Sequence, residues 1–194
     1  KSTPYGSDAR PFNPLALVIG AETTFVARSV DVMQGHLKEV LKKAAAHRGS
    51  AYIEILQNCN IFNDGAWFYL TDKDARADHI IQLEHGKPLI FGKNRDKGIR
   101  MNGLDLEVVQ LGNGISESDL VIHDEEYRNP AYAFMLAKME ETPGFPTPIG
   151  VLRSWGSVPR YEDIVCNQVK EVTAKKGAGK VEELLHAGDT WEVK

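Results

Sequence analysis

An α/β fold is predicted, with a mostly parallel, doubly wound sheet followed by a small antiparallel β-hairpin and helix extension toward the carboxyl terminus. Three stretches carry that prediction. The run Ala51-Tyr52-Ile53-Glu54-Ile55-Leu56 is rich in β-branched and aromatic residues and mostly apolar on both faces, as in a strand covered by helices on two sides. Upstream, a strand and an amphipathic helix complete a strand-helix-strand unit. Downstream of Trp67, strand-like pieces are punctuated by His85-Gly86, Lys97-Gly98 and Asn102-Gly103, a hairpin pattern.

Taken in order, KSTPYGSDARPFNP reads as a loop, and with Lys1 in first place the chain is expected to be a piece of a longer polypeptide. Asn13 before Pro14 is an N-cap followed by proline at the first helical position, and Gly20 closes the short helix. Thr23 to Arg28 reads as a strand. Asp31 with Gln34 forms a capping-box pattern, and Leu37, Val40, Leu41, Ala44 and Ala45 make one helical stripe. Lys42, Lys43, His47 and Arg48 lie near that helix's carboxyl end, where its dipole favours positive charge, and Gly49 ends it. The crossover to Ala51–Leu56 is expected to be right-handed.

Beyond Trp67, Leu104, Leu106 and Val108 alternate with Asp105 and Glu107, as a half-buried strand does. Asn129-Pro130 starts a helix whose buried side is Tyr132, Met135, Leu136 and Met139. GFPTPIG suggests an extended segment laid over a surface, with Pro146 and Pro148 on a contact face. Residues 161–194 read as a charged helical docking tail with a Gly-Ala-Gly break. These features divide the chain into 1–70 and 71–194.

The 194 residues with 42% hydrophobic content can form one domain, or one domain and an appendage, around a sizeable core. With 23 basic and 27 acidic residues and a formal net charge of -4, no basic field for nucleic acid exists. No apolar run approaches membrane-spanning length, so no membrane partner is expected. Two cysteines, Cys59 and Cys166, make no disulfide framework, and a reducing cytoplasm is the expected compartment.

Several motifs carry little. Lys176-Gly177-Ala178-Gly179-Lys180 resembles a phosphate loop, but Val181 stands where a Mg²⁺-binding hydroxyl belongs, and no strong strand precedes it. His123-Asp124-Glu125 reads as a solvated turn rather than a metal site. Glycine-rich dinucleotide spacing is missing.

Ligands of open α/β sheets gather beyond the carboxyl ends of strands. There stands Gln57-Asn58-Cys59-Asn60, followed by Ile61-Phe62 and the turn Asn63-Asp64-Gly65. On residue type alone Cys59 has three readings: a small buried hydrophobe, a nucleophile whose base the sequence does not place, or a metal ligand. Polar Gln57, Asn58 and Asn60 could donate to a thiolate or to cluster sulfurs.

EILQNCNIFNDGAW resembles the corresponding loop in β subunits of 2-oxoacid:ferredoxin oxidoreductases, particularly the 2-oxoglutarate group. The resemblance extends through LALVIGAETTFVARSVD, HLKEVLKKAAAHRGSA, LEHGKPLIFG and PTPIGVLRSW, covering most of residues 1–155. It implies that residues 1–70 are the carboxyl-terminal part of a thiamine-diphosphate-binding domain and 71–194 the subunit's extension. It further implies an enzyme that oxidatively decarboxylates 2-oxoglutarate to succinyl-CoA, or runs in reverse. Thiamine diphosphate, Mg²⁺ and a [4Fe-4S] cluster would be its cofactors, and coenzyme A its co-substrate. Ferredoxin would be its electron partner and an α subunit would complete an αβ or (αβ)2 assembly. Cys59 matches the family position that supplies a cluster ligand, and Cys166 is expected to be structural. The family's other cluster cysteines and its GDG-to-Asn motif do not occur here, so catalytic residues are expected upstream of residue 1 and on the α subunit. Pyruvate in place of 2-oxoglutarate, or a non-catalytic cluster-capping module, are the alternatives.

Overall fold

The computed structural model describes residues 9–156 and 159–193, so most of the expected opening loop lies outside the described residues. In chain order the elements are α1 (Pro14–Gly20), β1 (Phe25–Val30), α2 (Gln34–Ala46), β2 (Ala51–Leu56), α3 (Phe68–Thr71) and α4 (Arg76–His79). There follow β3 (Ile80–Leu83), β4 (Ile90–Phe91), β5 (Lys97–Asn102), β6 (Asp105–Gln110), α5 (Pro130–Lys138), β7 (Thr147–Ser154), α6 (Tyr161–Lys176) and α7 (Val181–Leu185).

The main sheet runs β2-β1-β7-β3, with β2 parallel to β1, β3 parallel to β7, and β1 antiparallel to β7. Mostly parallel pairing and α/β class agree with the sequence. β1 starts two residues later than expected because Ser50 Oγ takes the Thr24 N–H, at 3.2 Å. It is buried along its whole length. β2 differs from its expected place as a doubly covered strand. It has a neighbour on one side only among the described strands, which leaves Ile55 43% exposed.

Helices lie on both faces. On one, α1 and α5 cover Val26, Ile81 and Leu152 in a core that also takes in Leu89, Phe91 and Ile99. On the other, Val40 and Ala44 of α2 pack on Phe25, Ala27 and Val151. The side chain of Asn13 caps α1 by accepting from the Ala16 N–H at 2.8 Å and donates to the Ala137 carbonyl at 2.9 Å, joining α1 to α5. Asn129 caps α5 through the Ala131 N–H at 2.9 Å. The capping box at α2 does not form: the helix starts at Gln34, and Asp31 accepts from the Val32 N–H instead. Leu41 and Ala45 are exposed, so the α2 stripe is narrower than expected.

The hairpin expectation holds for β4, β5 and β6, an antiparallel meander with its β5–β6 turn at Asn102-Gly103. It fails for β3, which joins the main sheet, and at Lys97-Gly98, which lies inside β5. A Cβ on Gly98 would stand 2.5 Å from the Leu120 side chain, so that glycine serves close packing. Leu104 is exposed at the turn beside the strand that buries Val109. The proline-rich segment is the largest departure. Rather than lying over a surface, Thr147–Ser154 is an inner strand, with Pro146 and Pro148 buried. β1 pairs only with Gly150 to Ser154, so Pro148 lies beyond the last β1 rung and withholds no N–H from it. Gly150, at φ 115° with the Leu83 carbonyl 2.8 Å from an ideal Cβ, lets β7 pass between β1 and β3.

Strands from both sides of residue 70 share this sheet, and the compact units are Lys1–Val158 and Pro159–Lys194. The second is the charged helical segment the sequence suggests: α6 and α7 separated at Gly177-Ala178-Gly179. Among the described residues no helix is long and apolar enough to cross a membrane.

His123 is fully buried rather than solvated. Its Nε2 lies 2.8 Å from the Val151 carbonyl, an acceptor only, so Nε2 carries the proton and donates. Nδ1 must then accept from the Tyr132 hydroxyl at 3.0 Å, and that hydroxyl accepts from the Asp124 N–H. Burial lowers the pKa of His123, and likewise of His36 and His47, which meet Ser29 and Thr24 hydroxyls. Below about pH 6.5 the unfolded chain takes up protons that these folded rings refuse, so stability falls with pH until their folded pKa values are reached. Urea midpoints should therefore drop from pH 7.5 to 5.5. His123→Gln should be about 1 to 3 kcal/mol less stable at pH 7.5, from polar groups left unpaired, and show a flatter pH dependence. An equally steep profile in the variant would remove His123 from this role.

Candidate functional site

Beyond β2 the chain makes a closed loop whose two ends are held by one apolar cluster. Leu56 packs with Val30, Leu70, Ile80 and Ile149, and Trp67 packs against the same group. The Leu56 carbonyl also accepts from the Asp31 N–H at 3.1 Å. Cys59 lies three residues past Leu56 and forms an isolated antiparallel bridge with Asn63, whose N–H donates to the Cys59 carbonyl at 3.0 Å. Asn58 closes the base: its amide donates to Asp64 Oδ1 and its Oδ1 accepts from the Gly65 N–H, each at 2.9 Å. Gly65 has φ 77°, the left-handed turn the sequence signals.

Cys59 is exposed, which removes the buried-hydrophobe reading. Hydrogen bonding from the backbone of Phe62, then of Ile61, holds the thiol below its ordinary pKa, with partial burial and the Asp64 carboxylate opposing. No histidine is among these groups. The arrangement stabilises a thiolate by fixed dipoles rather than by a partner base, which suits a metal or cluster ligand better than a His-activated nucleophile. The sequence placed the donors on Gln57, Asn58 and Asn60. The backbone supplies them instead, and Asn58 shapes the loop that aims them. Ile61 and Phe62 stand 84% and 88% exposed beside the thiol.

A residue the sequence analysis passed over anchors this end of the sheet. Arg28 is fully buried in β1; Nε meets Glu54 Oε2 on β2, and Nη2 meets Glu140 Oε1, each at 2.6 Å. Its Nη1 has no partner. Burial pushes the Glu140 carboxyl up, against the neighbouring guanidinium. The signal was Glu54, a lone charge inside an apolar run.

Cys166 is exposed on α6, in the other compact unit. Among the described residues no three His, Cys, Asp or Glu side chains are grouped to hold a metal ion. Within those residues, then, Cys59 offers one thiolate and not a complete metal site. The Lys176 to Lys180 stretch merely joins α6 to α7.

No protein-family model matches the chain. In an alignment of 195 positions that spans all of this chain it is 40% identical to "2-oxoglutarate oxidoreductase subunit KorB" of Mycobacterium tuberculosis, of which it covers 52%. Over 64 residues, 33% of this chain and 20% of the other, it is 47% identical to "2-oxoacid:ferredoxin oxidoreductase 1, subunit beta" of Aeropyrum pernix. Among solved structures it is similar to a 2-oxoglutarate:ferredoxin oxidoreductase from Magnetococcus marinus with 2-oxoglutarate, coenzyme A and succinyl-CoA bound. That likeness has a TM-score of 0.59 at 21% identity, covers 97% of this chain and 49% of the other, and bears on the fold alone. The chain spans about half the length of the M. tuberculosis relative.

The loop geometry has a direct chemical readout. In the metal-free protein the Cys59 thiol should be alkylated by iodoacetamide with a midpoint below the ordinary value of 9.0. Asn58→Ala should raise that midpoint while leaving the melting temperature nearly unchanged. Alkylation at or above the ordinary value in the parent protein would rule out the backbone cradle.

Proposed function

From its homology to β subunits of 2-oxoacid:ferredoxin oxidoreductases, an enzyme family, we propose that this chain supplies Cys59 as one ligand of a [4Fe-4S] cluster. The enzyme would convert 2-oxoglutarate, coenzyme A and two oxidised ferredoxins to succinyl-CoA, carbon dioxide, a proton and two reduced ferredoxins, or run in reverse. The observation that carries this reading is the exposed Cys59 thiol, held below its ordinary pKa by the backbone of its own loop, which the core grips at both ends. The 2-oxoglutarate assignment rests on the name of the relative matched along the whole chain.

When bound, thiamine diphosphate with Mg²⁺ supplies an electron sink for carbanion chemistry and the cluster a one-electron relay. The residues of this chain have narrower tasks. Cys59 would hold one iron as a thiolate, whose charge the backbone of Phe62 and Ile61 would offset. Asn58 holds that backbone in place, and the Arg28–Glu54 pair fixes the strand that carries the loop. Exposed Ile61 and Phe62 offer an apolar rim against which other parts of the assembly can exclude water. The diphosphate and Mg²⁺ ligands, the remaining cluster cysteines and the substrate pocket belong, on this reading, to other parts of the β subunit and to the α subunit of an αβ or (αβ)2 assembly. A cytoplasmic location accords with reduced ferredoxin as the electron carrier.

Cys59→Ala in the assembled enzyme should leave assembly and thiamine diphosphate binding intact while sharply lowering iron content and ferredoxin reduction. Cys166→Ala should match the parent. Iron analysis and low-temperature electron paramagnetic resonance decide this, and a normal reducible [4Fe-4S] signal with full iron in the Cys59 variant would overturn the assignment. Steady-state kinetics should give a larger kcat/KM for 2-oxoglutarate than for pyruvate; the reverse order would leave the family reading in place and change its substrate.

A further inference from the structure

Where α4 meets the turns on either side of β4, the chain encloses a cavity of about 590 Å³. Lys73, Arg76, Lys87 and Arg95 line it, together with two carboxylates, Glu84 and Glu117. In a chain of net charge -4, four cations against two carboxylates in one concavity is a local reversal of sign. None of the four side chains meets an acceptor or a carboxylate among the described residues, whereas Arg28, Lys97, Arg100 and Arg160 are all paired. Asp72 and Asp78, from the same segment, are engaged elsewhere. Asp72 Oδ1 accepts from the Asp74 and Ala75 N–H groups, each at 2.9 Å. Asp78 Oδ1 accepts from the Lys93 N–H at 3.3 Å and pairs with Lys97 at 3.4 Å. These aspartates fix the backbone that carries the cations without neutralising them.

The walls are tied to one another. The Gly92 N–H donates to the Ala77 carbonyl at 3.0 Å, and the Lys87 carbonyl accepts from the His123 N–H at 2.8 Å. Arg95 stands at φ 53°, a left-handed conformation that glycine or asparagine adopts at lower cost. All four cations are exposed or half-buried, so an entering anion reaches their charged ends. The two carboxylates offset half of that charge, and the two charges left over match a dianion better than a single carboxylate. Phosphate groups carry such charge near neutral pH and present several acceptor oxygens to guanidinium and ammonium donors. The cavity volume lies within the range of small-molecule sites, about 300–1,000 Å³.

We propose that this cavity binds a small phosphorylated molecule, whose phosphate groups are held by Lys73, Arg76, Lys87 and Arg95. Glu84 and Glu117 limit the negative charge it accepts. None of the four cations belongs to the Cys59 loop.

The test is isothermal titration of the intact protein with pyrophosphate, phenyl phosphate and benzoate at constant ionic strength. At least one of the two phosphates should bind saturably at one site per chain, and benzoate at least tenfold more weakly. Tighter binding of pyrophosphate identifies a diphosphate and tighter binding of phenyl phosphate an organic monoester; either order supports the site. Arg76→Gln and Arg95→Asn should each weaken phosphate binding tenfold or more, and Glu84→Gln should tighten it several-fold. Arg95 is exposed, so its variant keeps the test intact if Arg76→Gln loses its fold. Lys38→Gln, at an exposed cation on α2 outside the cavity, should change nothing. Absence of saturable phosphate binding up to millimolar concentration in both the parent and Glu84→Gln overturns the proposal. So does benzoate binding as tight as the phosphates', or an equal loss in Lys38→Gln and Arg95→Asn. Binding of hexaglutamate but of neither phosphate also overturns it, and makes the surface a contact for an acidic protein.

Discussion

One buried cation sets the terms for the central sheet. Arg28 cannot lose its charge, so β1 can be interior only if carboxylates are brought to it, and they come from β2 through Glu54 and from the segment after α5 through Glu140. Arg28 and Glu54 are also register partners in the β1–β2 ladder. A one-residue slip would turn Glu54 to the other face and leave the guanidinium unpaired. The ion cluster thus specifies register where apolar side chains alone would tolerate error, and that register carries Leu56 into its cluster and delivers the loop beyond it.

The Cys59 loop shows how reactivity can be fixed without acidic or basic neighbours. An exposed thiol on a surface loop would ordinarily be mobile and unremarkable in its acidity. Here the loop is closed by one asparagine and clamped at Leu56 and Trp67, so the backbone that lowers the thiol's pKa is held in place. Such preorganisation would serve the cluster ligation proposed for Cys59, because reorganising the surroundings at each electron transfer would slow it.

Local chemistry was legible in the sequence; long-range pairing was not. Asn13-Pro14 and Asn129-Pro130 announce helix starts that the structure bears out, and Ala51–Leu56 is a strand with the expected bounds. The turn at Asn102-Gly103 and the break between α6 and α7 follow directly from glycine. What failed depends on partners distant in the chain. GFPTPIG carries prolines that normally mark edges or surfaces, and only its place beyond the last β1 rung allows Pro148 inside. His123 looks like a turn residue until Val151 and Tyr132 are brought to it. Cys59 was found, but its donors were assigned to amide side chains because backbone direction is invisible in a residue string. Arg28 left a trace only through Glu54.

The position of β7 bears on how the chain becomes a sheet in the first place. Phe25 pairs with Ser154, so the strand that fills the centre is made long after the strands it joins. Until residue 154 has left the ribosome, the β1 edge that takes β7 is incomplete, and Arg28 lacks Glu140 until residue 140 has emerged. Closing so long a loop is an entropic barrier that slows folding, and an unfinished chain in that interval exposes apolar strand surface. Nascent chains stalled before β7 would be natural clients for chaperones, and the sheet's late inner strand makes synthesis of β7 the step that commits the sheet to its fold.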